Sequence, residues 1–457
     1  MSSDDSAATA VLAAYAVGDL SDHLAPEAVH QAKSTLLDTF GVALAARNSE
    51  LVRILQETHP GDGRRSGALI WTSRARASAE IAAMVNGATA HALDFDDTNE
   101  SIRGHVGATL WPTILALAEG SGASGKAMIE AYIVGVRSAV AIADGMMIDS
   151  HYGKGWHSTS TVGVLAATCA ASRLAGLDVN KVRNALGIAG SMASGSRQNF
   201  GTLTKPFHAG VAARNAVLAA RLAKAGLNAD QTVLEGPLGY YALFDGRGRV
   251  AQLAASLRQP WTPSRHGVSL KRYALCYNLQ RICEAVLSIC EGGAVSPDNV
   301  VRVDATIEPE GKAPFIQRRP TTGLECKFSP QYAVAALITG RGLTPMDFDN
   351  TILDDEAVNA LMRRVEVHES HAPPIGEREW SEGFAVVSIE LKTGEKLCRR
   401  VDAPKGHWGA PFTRQELSDK FAGCVALGFP GCDSARLEQA IWSIDTVDQF
   451  SGFSDVE

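Results

Sequence analysis

The chain has 457 residues, 46% hydrophobic and 20% charged, with a formal net charge of −7. Such a balance describes a globular chain long enough for two or three domains, and it excludes nucleic acid as a main partner, which needs a basic face. No stretch reaches the roughly 18 uncharged apolar residues of a membrane span, and the start MSSDDSAATAV lacks the basic residues of a signal peptide, so a cytoplasmic protein without a membrane partner is expected.

Aromatic residues make up only 6% of the chain, while alanine and glycine are abundant. This favours close-packed helices with small residues at their crossings. None of the eight cysteines forms a CxxC pair, so buried reduced thiols are expected.

Helical reading begins at Leu24, with Pro26 suited to a first helical position. Val29, Ala32, Leu36, Phe40 and Leu44 then recur at the three- and four-residue spacing of a core-facing helix. Residues 50–75 are looser, with GDGRRSG as a turn and ALIWT as a short apolar piece. A helix from Ala77 to about His91 delivers the densest polar stretch of the chain, HALDFDDTNESIRGHVGATLW, residues 91–111. Asp94, Asp96, Asp97 and Glu100, with Thr98, crowd against Arg103, His91 and His105 between apolar segments. That much charge between buried segments points to use.

Two further helices are expected at Ala108–Gly120 and Lys126–Met146, with Pro112 in the first turn of the former. HYGKGWHSTST, residues 151–161, supplies Tyr152, Lys154 and His157, and Ser158 to Thr161 read as the cap of a helix from Val162 to Leu174. A helix from Val179 to about Met192 leads into SGSRQNFGTLTKPFHAG, which carries Arg197, Asn199, Lys205 and His208 ahead of a helix over 209–225.

The composition changes near residue 260. VVRVDATIE (300–308) and RVEVHE (364–369) alternate with the period of half-buried strands, and residues 384–403 read as two strands about a Thr393–Gly394 turn. Helical pieces lie at Leu279–Cys290 and Gln331–Thr339. The expected architecture is mainly α with a smaller α+β domain. Residues 1–264 together with 406–457 form the helical domain, and 265–405 the α+β lid.

No P-loop, Rossmann loop, GxSxG elbow or HExxH is present. The run Asp96 to Glu100 has a DDxxE spacing that can hold Mg²⁺, but a second motif to complete the site is missing, so no metal is expected. What remains is cations and proton carriers: Arg103, His105, Tyr152, His157, Lys205, His208, Lys271, Arg272 and Tyr332, with Asp94 and Thr98. Lys and Arg hold carboxylates. His and Tyr move protons, and a neighbouring cation can bring Tyr into range. The set suits proton abstraction next to a carboxylate.

HALDFDDT…GHVGATLWPTILALAE, GWHSTSTVGVLAATCAASRL, GTLTKPFHAGVAARNAVLAA and KRYALCYN, in this order, resemble the MmgE/PrpD family, and GHWGAPFTRQELSDKF resembles its decarboxylase branch. The resemblance implies a helical domain interrupted by an α+β lid, a homodimer, no cofactor, and an active site between the domains. By matched position it implies catalytic roles for Asp94, His105, Tyr152, His157 and Lys205. Thr98, Arg103, Lys271, Arg272 and Tyr332 would contact the substrate, a small di- or tricarboxylate. Many members carry a histidine where this chain has Gln280. A missing proton carrier there would favour epimerisation of an iminodisuccinate-like substrate. Dehydration of a 2-methylcitrate-like substrate is the first expectation. Epimerisation and cis-aconitate-type decarboxylation are the alternatives, and a non-catalytic metabolite-binding protein is the reading from another class.

Overall fold

The structure, a computed structural model, describes residues 7–61, 67–244, 249–259, 267–315, 319–381 and 383–453. Helices begin where the sequence supplies caps. Ser49, Ser78, Ser124 and Asp178 each accept a backbone N–H from the turn that follows, satisfying donors that a helix start otherwise leaves bare.

The helices of the first half are α1 (Ala8–Val17), α2 (Pro26–Ala45), α3 (Glu50–Thr58), α4 (Ala79–His91), α5 (Gly107–Ser121), α6 (Gly125–Asp144), α7 (Ile148–Gly153), α8 (Ser158–Leu174), α9 (Val179–Gly190) and α10 (Thr204–Ala225). After them come α11 (Tyr240–Phe244), α12 (Val250–Arg258), α13 (Gln280–Cys290), α14 (Gly323–Cys326), α15 (Pro330–Ile338), α16 (Glu356–Met362), α17 (Arg414–Gly428) and α18 (Ser434–Trp442). Strands β1 (Ala68–Leu69) and β2 (Arg76–Ala77) form a small ribbon. Strands β3 (Val300–Ile307), β4 (Val365–Glu369), β5 (Ala385–Leu391) and β6 (Lys396–Val401) form a sheet in the order β4-β3-β5-β6.

The alternating residues set the sheet register. Val303 lies opposite Val365 in the parallel β3–β4 pair and opposite Ile389 in the antiparallel β3–β5 pair. Residues Val303, Ala305 and Ile307 are buried, and α13 and α15 cover the sheet. These elements share one apolar core, while α1, α2, α5, α6, α8–α10, α12, α17 and α18 contribute to another. Tyr152 and Phe200 come from the helical part of the chain but pack into the core of the sheet part.

Small residues do sit at the crossings. Helix α4 packs most extensively against α10, where Gly87 meets Gly210: a Cβ on Gly87 would lie 3.0 Å from the Gly210 Cα, and one on Gly210 would strike the Met84 carbonyl oxygen. The C-terminal helices return to the first half, with α17 on α2 and Phe421 against Gly41.

Three local expectations are corrected. Ser158 to Thr161 are the first turn of α8 rather than its cap, and His157 takes the cap position. Helix α10 begins at Thr204, so Lys205 and Pro206 are inside its first turn; a proline there lacks only an N–H that has no intrahelical partner anyway. Pro112 is the sixth residue of α5, beyond its first turn. The GDGRRSG turn and the expected domain boundary at 264/265 fall mostly on 62–66 and 260–266, outside the described residues.

Candidate active site

Helix α4 ends at His91, and the chain then turns through Asp94, whose φ of 52° is left-handed. Aspartate tolerates that region better than most residues. The turn aims the Asp94 carboxylate between two ammonium groups: Lys205 from α10 donates to Oδ2 at 2.8 Å, and Lys271 donates to Oδ1 at 2.6 Å and to the Asp94 carbonyl at 2.8 Å. Burial works against the carboxylate, but Lys205 and Lys271 outweigh it and hold Asp94 well below the usual carboxylate range.

Behind this group lies a buried chain of rings. Asp96 meets His91 Nδ1 at 2.9 Å and His105 Nδ1 at 3.1 Å. His105 Nδ1 also lies 2.6 Å from the Asp97 carbonyl oxygen. Both neighbours of His105 Nδ1 are acceptors, so that nitrogen carries the hydrogen. Burial holds His105 below its ordinary value, so the ring is neutral and its Nε2 presents a lone pair, 3.9 Å from Asp94 Oδ1. Asp97 is structural, since both its oxygens accept from the Gly107 N–H at the start of α5, at 2.9 and 3.0 Å. The acids of the DDxxE run therefore diverge. Asp96 serves the imidazoles, Asp97 caps a helix, and Glu100 pairs with Arg281 at 2.7 Å.

A cleft of about 360 Å³ opens onto this group. Asp94, Thr98, Arg103, His105, Tyr152, His157 and Lys205 all line it. His157 is 1% exposed and held well below its ordinary pKa by burial, with His91 and Lys205 adding to the effect. Its Nδ1 lies 3.1 Å from His208 Nδ1. Tyr152 lies under the Arg197 guanidinium, 3.7 Å from its ring centroid, yet burial prevails and raises the phenol above its ordinary value. Tyr152 is thus a hydrogen-bond donor, not the base that a neighbouring cation would make of it. Arg103 pairs with Asp149 at 2.6 Å near the opening.

The cleft is not cationic. Arg103, Lys205 and Arg281 line it together with the four carboxyls of Asp94, Glu100, Asp149 and Glu308.

Three expected substrate contacts are elsewhere. Lys271 has a side chain at 0% exposure and is committed to Asp94, so it is an anchor for that carboxylate and not a cleft contact. Arg272 points outward and pairs with Glu284 at 3.1 Å. Tyr332 is buried in the core of the sheet part, its hydroxyl donating to the Asp347 carbonyl. Gln280 is also off the cleft: its Oε1 accepts from the Arg272 and Tyr273 N–H groups and its Nε2 donates to the Tyr273 carbonyl. Gln280, where the resemblance led to an expected histidine, is therefore a loop clamp.

Sequence reasoning passed over other cleft residues. Cys276, Tyr277 and Asn278 line the cleft from the KRYALCYN segment itself, so the signal was in that motif. Phe328 opens the FSPQY stretch that carries Tyr332, whereas Arg281, Glu308 and Trp380 come from stretches with no motif. Lys327 reaches from the sheet part to the Leu93 carbonyl at 2.8 Å, and burial pushes its pKa down to about 7.

His91, Asp94, Asp96 and His105 bring ligand-type atoms within 4.8 Å of one another. That set is already bonded internally: the Nδ1 atoms of both histidines face Asp96 and both lysines face Asp94. A cation would have to displace an ammonium group, so the donor set does not fit a resident metal.

Comparison with known proteins places the chain. The model of the MmgE/PrpD N-terminal domain matches residues 10–252, and that of the MmgE/PrpD C-terminal domain matches residues 273–446. The cis-aconitate decarboxylase of Homo sapiens is 28% identical over 411 residues, covering 87% of this chain and 84% of the relative. The cis-aconitate decarboxylase of Mus musculus is 26% identical over 412 residues, covering 88% and 83%. That of Aspergillus terreus is 27% identical over 349 residues, covering 71% and 70%.

Proposed function

Because the chain belongs to the MmgE/PrpD family, we propose that it is a lyase that decarboxylates a small unsaturated tricarboxylate of the cis-aconitate type. The sequence alone put dehydration first. The names of the relatives favour decarboxylation, and Gln280 no longer points toward epimerisation, because that side chain clamps a loop.

The observation that carries the reading is one cleft wall bearing Lys205, His105 and His157 around Asp94. Loss of CO₂ from a carboxylate one carbon removed from a C=C bond leaves an allylic carbanion. The electron pair of the broken C–C bond forms the new C=C, and the former π pair takes a proton at the far carbon. Lys205 and Arg103 hold the remaining carboxylates. Tyr152 and Thr98 donate hydrogen bonds. His157 supplies the proton to carbon. His105, backed by Asp96, accepts a hydrogen bond or a proton, and Asp96 stabilises the charged ring. No step is assigned to a metal or cofactor. We further propose that 1–264 with 406–457 act as a body, that 265–405 act as a lid, and that the protein is a cytoplasmic homodimer; sedimentation of the purified chain checks the last assembly.

A second reading has its own support. The carboxyls of Glu100, Asp149 and Glu308 along the same cleft suit a cationic nitrogen on the substrate, as in an aminated dicarboxylate undergoing epimerisation. Nuclear magnetic resonance in D₂O on cis-aconitate, citrate, methylcitrate and aminated succinates separates the cases. Decarboxylation gives CO₂ and a terminal alkene carrying one deuterium-labelled methylene. Dehydration gives an alkene without CO₂, and epimerisation gives deuterium at the α-carbon alone. Binding without turnover of any of them would leave a metabolite-binding protein and sink the enzymatic proposal.

A further inference from the structure

We propose that His208 is a positioning residue whose ring N–H holds His157 in the tautomer that offers a hydrogen to the cleft. The inference rests on the reading of His157 as proton donor and extends it to a residue outside the cleft wall. His208 sits on α10, one turn after Lys205, and does not line the cleft.

The Nδ1 atoms of His157 and His208 are 3.1 Å apart. Two neutral imidazole nitrogens at that separation share a single hydrogen, so one ring donates and the other accepts. The two tautomers are therefore opposite by necessity. Both rings are neutral at pH 7: burial and the Lys205 ammonium hold His157 well down and push His208 to about 4.

The cleft decides which way the hydrogen points. With Nδ1 turned to His208, Nε2 is the nitrogen His157 has for the cleft. A carboxylate bound there can be met only by an N–H, and His105 already presents a lone pair through Nε2. An Nε2–H on His157 leaves its Nδ1 bare, so the shared hydrogen belongs to His208 Nδ1. The cleft then carries one accepting and one donating imidazole, each fixed by a neighbour behind it: Asp96 for His105, His208 for His157.

The same bond prevents an anionic ring. When His157 gives its Nε2 hydrogen to the substrate carbon, the shared hydrogen passes from His208 Nδ1 to His157 Nδ1. His208 Nε2 takes a proton from solvent. One solvent proton has then moved to carbon, as decarboxylation requires, and both rings stay neutral. His208 is placed for this, with 9% exposure against 1% for His157, beneath Gly195 between the exposed Ser194 and Ser196. After product leaves and water refills the cleft, the transfers run in reverse and restore the resting pair.

Nitrogen-15 NMR of the full-length, histidine-labelled protein tests this, with the His157 signals identified by their loss in His157→Gln. The expected wild-type pattern is a protonated Nε2 and a bare Nδ1. In His208→Asp, whose carboxylate only accepts, the pattern inverts. Turnover then falls about 100-fold, the lower range for a lost general acid, with KM little changed. His208→Asn, whose amide N–H can take the place of Nδ1–H but cannot pass its hydrogen on, keeps the tautomer while turnover stays low. A wild-type His157 protonated at Nδ1 overturns the proposal, and so does an inverted tautomer with undiminished turnover. The expected tautomers in a protein that decarboxylates nothing would support the His208 assignment and remove the proposed function instead.

Discussion

Asp94 makes the residue-scale logic concrete: one carboxylate takes two lysines, and the two are not equivalent. Lys205 lines the cleft, while Lys271 is sealed behind it. Lys205→Ala should lower kcat/KM at least about 100-fold, the usual cost of losing one preorganised charge at the reacting centre, measured by steady-state turnover on the accepted substrate. Gln280→Ala strips three backbone groups of their partners. It should cost about 1–3 kcal/mol in urea unfolding with less than a tenfold change in rate; a proton-carrier role would reverse that ranking. The buried histidines fix the response to acid. His91 is pushed down to about 3 by burial, whereas an unfolded histidine titrates near 6.5. Below pH about 6.5 the unfolded chain binds the extra proton, so stability falls as pH falls, by up to about 1.4 kcal/mol per pH unit from this residue. Asp94 and Asp96, held well below the carboxylate range against burial, add a loss of the same sign below pH about 4, where unfolded carboxyls take protons first. Denaturant midpoints from pH 8 to about 4 check the first, and their continuation below pH about 4 checks the second. That Asp94, His105, His157 and Lys205 meet in one cleft could be anticipated from the order of the motifs. Lys271, Arg272 and Tyr332 lie off the cleft, because a motif gives the order of side chains, not their direction.

Elements carry that chemistry by where they start and how closely they cross. Helix α4 ends at the acidic turn and α10 carries Lys205 in its first turn, so their crossing sets the distance from Asp94 to its lysine. Gly210→Ala would drive a methyl group into the Met84 carbonyl. It should destabilise by about 1–3 kcal/mol through overpacking, and reduce turnover although Gly210 lies away from the cleft. Thermal unfolding and rate together test this. Helix positions and strands were readable from periodicity, and β3 to β6 follow the alternating runs at 300–308, 364–369 and 384–403. Helix starts were less so. Pro206 and Ser158 are ordinary in a first turn, but each also reads as a boundary. Nothing in the alternation of β3 announces that Glu308, just past its last residue, lines the cleft.

At the scale of the molecule, buried and part-buried polar contacts tie the sheet part to the helical part around the cleft. Arg281 reaches Glu100, Lys327 reaches the Leu93 carbonyl, and the Thr98 N–H donates to the Ser269 carbonyl at 2.8 Å. The grouping into helical and sheet-bearing cores was visible in the composition change near residue 260. The charge of the space between them was not, because cations were read without the acids that answer them. Lys205 already has a tenant in Asp94. An incoming polyanion thus meets a nearly neutralised pocket, so long-range attraction does little to speed its arrival, and discrimination falls to fit at contact. Raising salt from 50 to 500 mM should accordingly leave kcat/KM within about threefold, against the steep decline of electrostatically steered encounters.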